Sequence, residues 1–271
     1  MEEHSSIPLW LRHELNELMR TIRSYVGLVV IHSKDNLSIG TYNLLRVGDR
    51  LFAITAGHNL DGRYELIRNN AVRTSERYRV ISAHKHEDTE RDIAIIEVEN
   101  DPGAAAFDLQ QLSVEPPQPS SEDSILALWV VGFPACNSSV DQVSMMLNIG
   151  QNAIGAKVVE VADDKLTLLY TDEDVDVLHH DKGYAVSQGK VPESPKGLSG
   201  SGVWGLVGVK KDTLFNPARH IKFFGVQHSW LPASRLLNCL PARFVVEMLA
   251  KHAPELKEKM KSLFPKVLEN L

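Results

Sequence analysis

The chain has 271 residues, of which 43% are hydrophobic and 24% charged, as in globular proteins with a substantial core. Its formal net charge is −6 and its basic residues form no long runs, which argues against nucleic acid as a partner. No apolar run approaches the ~20 residues that cross a bilayer, so we expect no membrane partner. The N-terminus lacks the basic and apolar regions of a secretory signal, which predicts a cytoplasmic protein.

The order of sequence patterns divides the chain into five segments. Residues 1–24 are predicted to form an N-terminal helical extension, because apolar residues recur there at helical spacing. Short β-branched runs separated by turn signals then fill residues 25–112 and again 125–235. The stretch 113–124 is rich in Pro, Ser and acidic residues and predicts an exposed linker, while residues 236–271 return to helical spacing. Many short strands at regular spacing favour an all-β barrel or sandwich class.

The first segment with chemical character is Phe52-Ala-Ile-Thr-Ala-Gly-His58, a strand that ends on small residues and a histidine. A general base must approach its nucleophile closely, and bulky neighbours would hinder that approach. Because the chain contains 11 histidines, His58 alone is weak evidence, and a structural role stays open.

The second segment is Arg91-Asp92-Ile-Ala-Ile-Ile, an aspartate at the start of an apolar strand. Burying a carboxylate is costly unless it has a hydrogen-bond partner, and a histidine Nδ1–H is one such partner. Read by itself, Asp92 is equally consistent with an aspartate that caps the preceding turn.

The third segment is the most specific, Gly197-Leu-Ser199-Gly200-Ser201-Gly202. Glycines on both sides of Ser199 suit a tight turn that presents Oγ while backbone N–H groups converge. The N–H groups of Gly197 and Ser199 are candidates for an oxyanion hole. Ser201 is the rival nucleophile, although the glycine spacing favours Ser199.

Together these segments resemble the trypsin-like (chymotrypsin-fold) serine peptidases. ITAGH is similar to the TAxH histidine motif of that family, RDIAII to its D-I-A-L strand, and GLSGSG to its G-x-S-G-G loop. The resemblance covers roughly residues 24–235 and implies two antiparallel β-barrels, with helices at both termini of this chain. It implies a catalytic triad of His58, Asp92 and Ser199, a protein or peptide substrate, and no cofactor.

The resemblance also suggests substrate contacts. FFGVQHSW resembles the strand that pairs with a substrate backbone, which predicts contacts from Gly225, Val226 and Gln227. In the family that the chain resembles, the base of the specificity pocket lies about six residues before the nucleophile, which corresponds to Glu193 here. An acidic residue at that position would favour substrates with Lys or Arg at P1. Leu198 stands where secreted members have an activating Asp, so we expect no zymogen switch.

Several interpretations remain open at this stage. The fold could serve as a non-catalytic or partner-gated binding module, or the triad could act as an esterase or acyltransferase. A regulatory protein partner would suit a protease held inactive in the cytoplasm, and a bacterial defence system is one such setting. Cys136 and Cys239 are expected to be reduced thiols, although a single bridge is possible. The acidic stretch 172–181 matches no metal signature, so no metal is predicted.

Overall fold

We describe the chain from a computed structural model. The description covers residues 9–32, 37–68, 77–117, 127–135, 138–141, 146–149, 151–170, 176–178, 186–188, 196–208 and 215–269.

The described residues of the N-terminal half form one helix and seven strands. Helix α1 spans Leu9–Tyr25, which agrees closely with the predicted helical extension, and it buries Leu18 and Ile22. The strands that follow are β1 (Val26–His32), β2 (Leu37–Val47), β3 (Arg50–Ala56), β4 (Arg63–Ile67), β5 (Val80–Asp88), β6 (Ile93–Val98) and β7 (Phe107–Asp108).

These strands form a single antiparallel sheet in the order β4-β1-β2-β3-β6-β5, and β7 adds to β2 in parallel. The sheet curls into a nearly closed barrel. Alternation along β2 explains its two faces, since successive side chains of a strand point to opposite sides. Tyr42 and Leu44 belong to the core inside this barrel, whereas Thr41 and Asn43 point toward the other half.

The described residues of the second half form ten strands and four helices. A closed six-stranded barrel has the order β11-β12-β17-β16-β15-β8, while β9 pairs with β10 and β13 with β14. The strands are β8 (Ala127–Gly132), β9 (Ser138–Asp141), β10 (Met146–Ile149), β11 (Asn152–Val161), β12 (Leu166–Tyr170), β13 (Asp176–Leu178), β14 (Val186–Gln188), β15 (Gly202–Leu206), β16 (Ile221–Leu231) and β17 (Leu236–Pro241). The helices are α2 (Pro217–His220), α3 (Arg243–His252), α4 (Lys257–Leu263) and α5 (Pro265–Leu268).

The predicted all-β class with two barrels and terminal helices is confirmed, with one difference at a boundary. The second barrel does not end at residue 235, because Leu236–Pro241 forms β17 between β12 and β16. Without β17 the barrel could not close. The predicted helical segment 236–271 therefore begins with a strand, and its first helix starts at Arg243.

The largest apolar cluster lies between the two barrels rather than inside either one. Phe107 from the first half stacks on Phe223 with ring centroids 4.9 Å apart, and Trp204 meets both rings edge-on. Side chains of α1 and α3 belong to the same cluster. Burial of this aromatic surface is the main force that holds the barrels together, and it fixes the position of the cleft where the candidate residues lie.

Candidate active site

His58 and Asp92 form a tight pair within the first barrel. His58 Nδ1 lies 2.7 Å from Asp92 Oδ2, and the backbone N–H of His58 donates to Asp92 Oδ1 at 2.8 Å. The carbonyl oxygen of Asp92 also accepts a bond from Gly57 N at 3.0 Å. Three bonds therefore fix the aspartate against the short 3₁₀ turn Gly57–Leu60 that carries the histidine.

The backbone of Asp92 adopts a conformation that is rare for residues other than glycine. Its φ is +56°, in the left-handed region that Asp and Asn tolerate better than most residues. Residue 92 lies in the turn between β5 and β6, where the chain must reverse before Ile93. This turn places both carboxylate oxygens against residues 57 and 58.

The pair changes the acidity of both partners. The hydrogen bond that His58 donates to Asp92 raises the pKa of His58 above its usual 6.5, against the opposing effect of burial. Burial by itself would raise the pKa of Asp92, but the side-chain and backbone bonds from His58 lower it below its usual value. Asp92 is therefore ionised at neutral pH and stabilises the imidazolium form of His58.

The loop that carries Ser199 is held by donors from the first barrel. Ser199 O accepts from Thr41 N at 2.8 Å and from Asn59 Nδ2 at 2.7 Å. Thr41 Oγ1 donates to Gly197 O at 3.1 Å, and Asn43 Nδ2 donates to Gly200 O at 2.7 Å. All three loop carbonyls thus point toward the first barrel and away from the cleft.

Asn59 directly joins the two segments that carry the candidate residues His58 and Ser199. It follows His58 in sequence, its side chain is 2% exposed, and it bonds both Ser199 O and Thr55 Oγ1, the latter at 2.9 Å. Gly40 leaves room for it, because a Cβ at that position would lie 2.5 Å from the Asn59 amide group. A single buried amide therefore links the turn of the base to the nucleophile residue itself.

The N–H groups of Gly197 and Ser199 are positioned by the carbonyl groups that share their peptide bonds. Lys196 O accepts from Ala135 N at 2.6 Å, and Leu198 O accepts from Ser201 N at 2.7 Å. In a planar trans peptide the N–H points opposite to the C=O. The N–H groups of Gly197 and Ser199 therefore point away from those two contacts.

Glycine is required at two positions of this loop. Gly197 and Gly200 both have φ of +89°. A Cβ on Gly197 would lie 2.5 Å from Phe133 O, and one on Gly200 would lie 2.0 Å from Thr41 O. The sequence pattern of glycines around Ser199 thus has a steric reason as well as a conformational one.

Ser201 is unsuitable as a nucleophile in this arrangement. It is fully buried, and its Oγ packs so closely on Gly132 that a Cβ there would lie 1.9 Å away. Leu198 is also fully buried, in the core of the second barrel, where it anchors the loop. Ser199, in contrast, is only partly buried.

The structure brings the candidate base His58 and the candidate nucleophile Ser199 close together through Asn59, but their side chains are not bonded to each other. Within the described part of the chain, no hydrogen bond joins Ser199 Oγ to the His58 ring. Such bonds are often long in free enzymes and tighten when substrate binds. Among the described residues, no group of three His, Cys, Asp or Glu side chains is arranged to hold a metal.

The three predicted substrate-contact residues, Gly225, Val226 and Gln227, lie in β16 next to the loop around Ser199. Gly225 and Val226 pair with β15 on one side and β17 on the other, so their backbone groups are committed to the barrel. Gln227 N donates to Ser201 O, and Gln227 O accepts from Gly200 N. Beyond this point β16 continues to Leu231, and within the described residues it pairs only with β17. Contacts from Gly225, Val226 and Gln227 to a substrate therefore stay a prediction.

Three other predictions fall partly or wholly outside the described residues. Glu193, predicted at the base of the specificity pocket, and Cys136 both lie outside them, as do most positions of the acidic stretch 172–181. Cys239 is a free thiol, fully buried, and burial raises its pKa.

Sequence reasoning missed the polar residues that hold the nucleophile loop. Thr41 and Asn43 alternate on one face of the buried middle part of β2, and both are 0% exposed. Polar residues at alternate positions of an apolar strand were the available signal, because buried polar groups need partners. Asn59, next to the candidate histidine, offered no comparable pattern.

Comparison with known proteins yields structural likeness only. The sequence matches no family model, and a search of curated proteins finds no match. A serine endoprotease from Yersinia pestis aligns with a TM-score of 0.53 and 13% identity, over 91% of this chain and 67% of its own. A protease from M. tuberculosis in its active form aligns with a TM-score of 0.50 and 14% identity, over 93% of each chain. No helix in the described ranges is long and apolar enough to cross a membrane. The chain therefore has the two-barrel fold of the trypsin-like serine proteases, as its motifs predicted.

Proposed function

We propose that the protein is a serine endopeptidase that hydrolyses protein or peptide bonds through an acyl-enzyme on Ser199. The carrying observation is the His58–Asp92 pair, whose turn is tied to Ser199 O through the side chain of Asn59. A histidine oriented by an ionised aspartate and set beside a serine on a glycine-rich loop is an arrangement suited to acyl transfer.

The reaction divides the work among three side chains. Ser199 Oγ attacks the substrate carbonyl carbon while its proton passes to His58 Nε2. Asp92 stays ionised, fixes the Nδ1–H tautomer of His58 and stabilises the imidazolium. When the tetrahedral intermediate collapses, the leaving amine takes the proton from His58. Water then attacks the acyl-enzyme by the same route, and these steps require no cofactor.

The N–H groups of Gly197 and Ser199 are proposed to bind the oxyanion. Their partner carbonyls, Lys196 O and Leu198 O, are turned away by bonds to Ala135 N and Ser201 N. Fixed donors of this kind stabilise developing negative charge without reorganisation during the reaction, and each contributes on the order of 10²-fold or more to the rate.

A substrate backbone is proposed to pair with the free edge of β16 at Ser229–Leu231. This segment follows Gln227, the last residue of β16 whose backbone bonds the loop around Ser199. Extended peptides add to exposed strand edges through main-chain bonds, and the side-chain pockets then select the sequence. An acidic pocket residue at Glu193 stays a prediction; equal cleavage after Arg and Leu would contradict it.

One observation favours a second candidate, a binding module or an enzyme gated by a regulatory partner. In the described chain Ser199 Oγ and the His58 ring form no hydrogen bond, so the final alignment depends on an additional event. Substrate binding is the simplest such event, and a protein partner is the alternative.

Digestion of a peptide library distinguishes these functions. We expect the wild-type chain to cut peptides internally and the Ser199→Ala variant to produce no such cuts. The same experiment compares matched ester and amide substrates. Cleavage of esters alone would favour an esterase. Peptides that bind without being cut would favour the binding module.

A further inference from the structure

A second histidine faces the carboxylate that holds His58. His228 Nδ1 lies 3.8 Å from Asp92 Oδ2, the same oxygen that lies 2.7 Å from His58 Nδ1. His228 occupies the point of β16 where the register shifts between Gln227 and Ser229, and its side chain is 23% exposed. Among the described residues, the part of β16 that follows His228 pairs only with β17. One aspartate oxygen is therefore flanked by two imidazole rings, one from each barrel.

The two rings take up protons in a defined order. The bond to Asp92 raises the pKa of His58 above 6.5. Burial lowers the pKa of His228 below 6.5, and His58 and Lys165 lower it further, while Asp92 opposes them. On acidification His58 is therefore protonated first and His228 second, and both steps belong to the cluster as a whole.

Protonation of His228 changes its relation to Asp92. In the neutral state a separation of 3.8 Å is too long for a hydrogen bond. In the protonated state His228 becomes a cationic donor that faces Asp92 Oδ2, and closing the gap by about 1 Å would form a charge-assisted bond. His58 would then share its acceptor with a competing cation and lose the contact that fixes its tautomer.

We propose that His228 is a positioning residue whose neutral form is needed for His58 to act as the base. Protonation of either histidine then shuts the site in acid, and only chains with both rings neutral are active. The charged and titratable groups that face His228 are Asp92 and His58 from the first barrel and Lys165 from the turn between β11 and β12. This inference rests on the proposed function of Ser199.

The steepness of the pH profile tests the proposal. We would measure the rate at which a fluorophosphonate labels Ser199 from about pH 4.5 to about pH 9. The fraction of chains with both rings neutral falls with the square of the proton concentration below both titrations. The slope of log rate against pH should therefore rise from one to two in the wild type and stay at one in His228→Asn.

A matched control separates this effect from acid unfolding. His252, at the end of α3, is another histidine whose pKa is lowered by burial, and its ring stacks on His86 rather than on the site. His252→Asn should keep the slope of two, with circular dichroism recorded across the range. A slope of one in the wild type, or a slope of two in His228→Asn, would overturn the proposal.

Imidazole titration by NMR tests the coupling without any activity. The pKa of His228 should rise in His58→Asn, which removes a like charge, and fall in Asp92→Asn, which removes an opposite one. Changes below about 0.2 pH in both variants would overturn the coupling. If the wild type is not labelled, the proposed function fails, while these titrations still decide whether the two histidines share Asp92.

Discussion

The two halves of the site are held in different ways. The His58–Asp92 pair is internal to the first barrel, since all three bonds that fix it come from residues 57, 58 and 92. The loop around Ser199 belongs to the second barrel, yet its carbonyls at 197, 199 and 200 are bonded by Thr41, Asn43 and Asn59 of the first. The position of the base thus depends on its own barrel, and the position of the nucleophile depends on the contact between the barrels.

The two parts of the site should therefore respond to different substitutions. A change that loosens the barrel contact should leave the His58–Asp92 pair intact and displace Ser199. A change within the first barrel turn should disable the base while the nucleophile loop stays in place. The variants below are chosen to separate these two outcomes, beginning with the largest expected effect.

Asp92→Asn should disable the base alone. The amide cannot stabilise the imidazolium or hold the required tautomer, so the labelling rate of Ser199 should fall by about 10⁴-fold. The pKa of His58 should fall as well, because the bond that raises it is lost. Labelling kinetics and imidazole NMR check both effects. Labelling within tenfold of the wild type, on the order of one kcal/mol, would remove Asp92 from the mechanism.

Gly200→Ala should displace the nucleophile alone. The new Cβ would lie 2.0 Å from Thr41 O, which is backbone and cannot move aside, so the loop must shift. We expect labelling to fall by more than about 100-fold, since a displacement near 1 Å costs that much.

The matched control for that variant is Gly48→Ala. Gly48 has φ of +67°, and nothing lies within 4 Å of the Cβ position. This variant carries the conformational strain without the clash, so it should lose about 1 kcal/mol of stability and keep its labelling rate. Equal losses of the labelling rate in both variants would mean that backbone strain, rather than the clash at the barrel contact, causes the effect of Gly200→Ala.

Asn59→Leu should weaken the link between the halves. The substitution leaves Ser199 O with Thr41 N as its one remaining donor and removes the tie to the His58 turn. We expect labelling to fall by about 10- to 100-fold, with a loss of about 1–3 kcal/mol in stability. Rapid amide exchange at residues 197–201 in this variant would show that the loop has been released.

A second variant controls for the loss of stability. Val245 is fully buried on α3, and Val245→Ala should destabilise the fold by about 2 kcal/mol through a cavity. Well below its melting temperature it should be labelled at the wild-type rate. If it loses labelling as Asn59→Leu does, the effect of Asn59 is only one of stability.

Ser201→Ala should have the smallest effect. Its hydroxyl is buried and has no hydrogen-bond partner among the described residues, so its removal eliminates an unsatisfied polar group. Labelling should stay within about twofold of the wild type and stability should be equal or slightly higher. A loss of labelling would return Ser201 to consideration as the nucleophile.

The sequence predicts the first-barrel half of the site better than the second. His58 and Asp92 are found because short motifs place each at the edge of a strand, and the structure joins them at 2.7 Å. The register of β16 is fixed by long-range pairing with β15 and β17, which a local pattern does not encode. Strand β17 was missed for the same reason, since its six residues make sense only as the closure of a barrel.

The residues that link the halves are the hardest to find from sequence. Asn59 and Thr41 act on Ser199 from 140 and more positions away in the chain, through single hydrogen bonds. His228 acquires its relation to Asp92 only when the two barrels meet. Contacts between the two barrels produce no periodic pattern in the sequence, so the side chains that couple the barrels cannot be identified from a single sequence.

The most direct test of the account is fluorophosphonate labelling of the purified chain, with the adduct mapped by mass spectrometry. We predict one adduct, on Ser199, which is abolished by His58→Ala and by Ser199→Ala. That result would establish an activated serine and a competent oxyanion hole across the barrel contact. An adduct on another serine, or labelling of Ser199 that survives His58→Ala, would contradict the assignment of base and nucleophile.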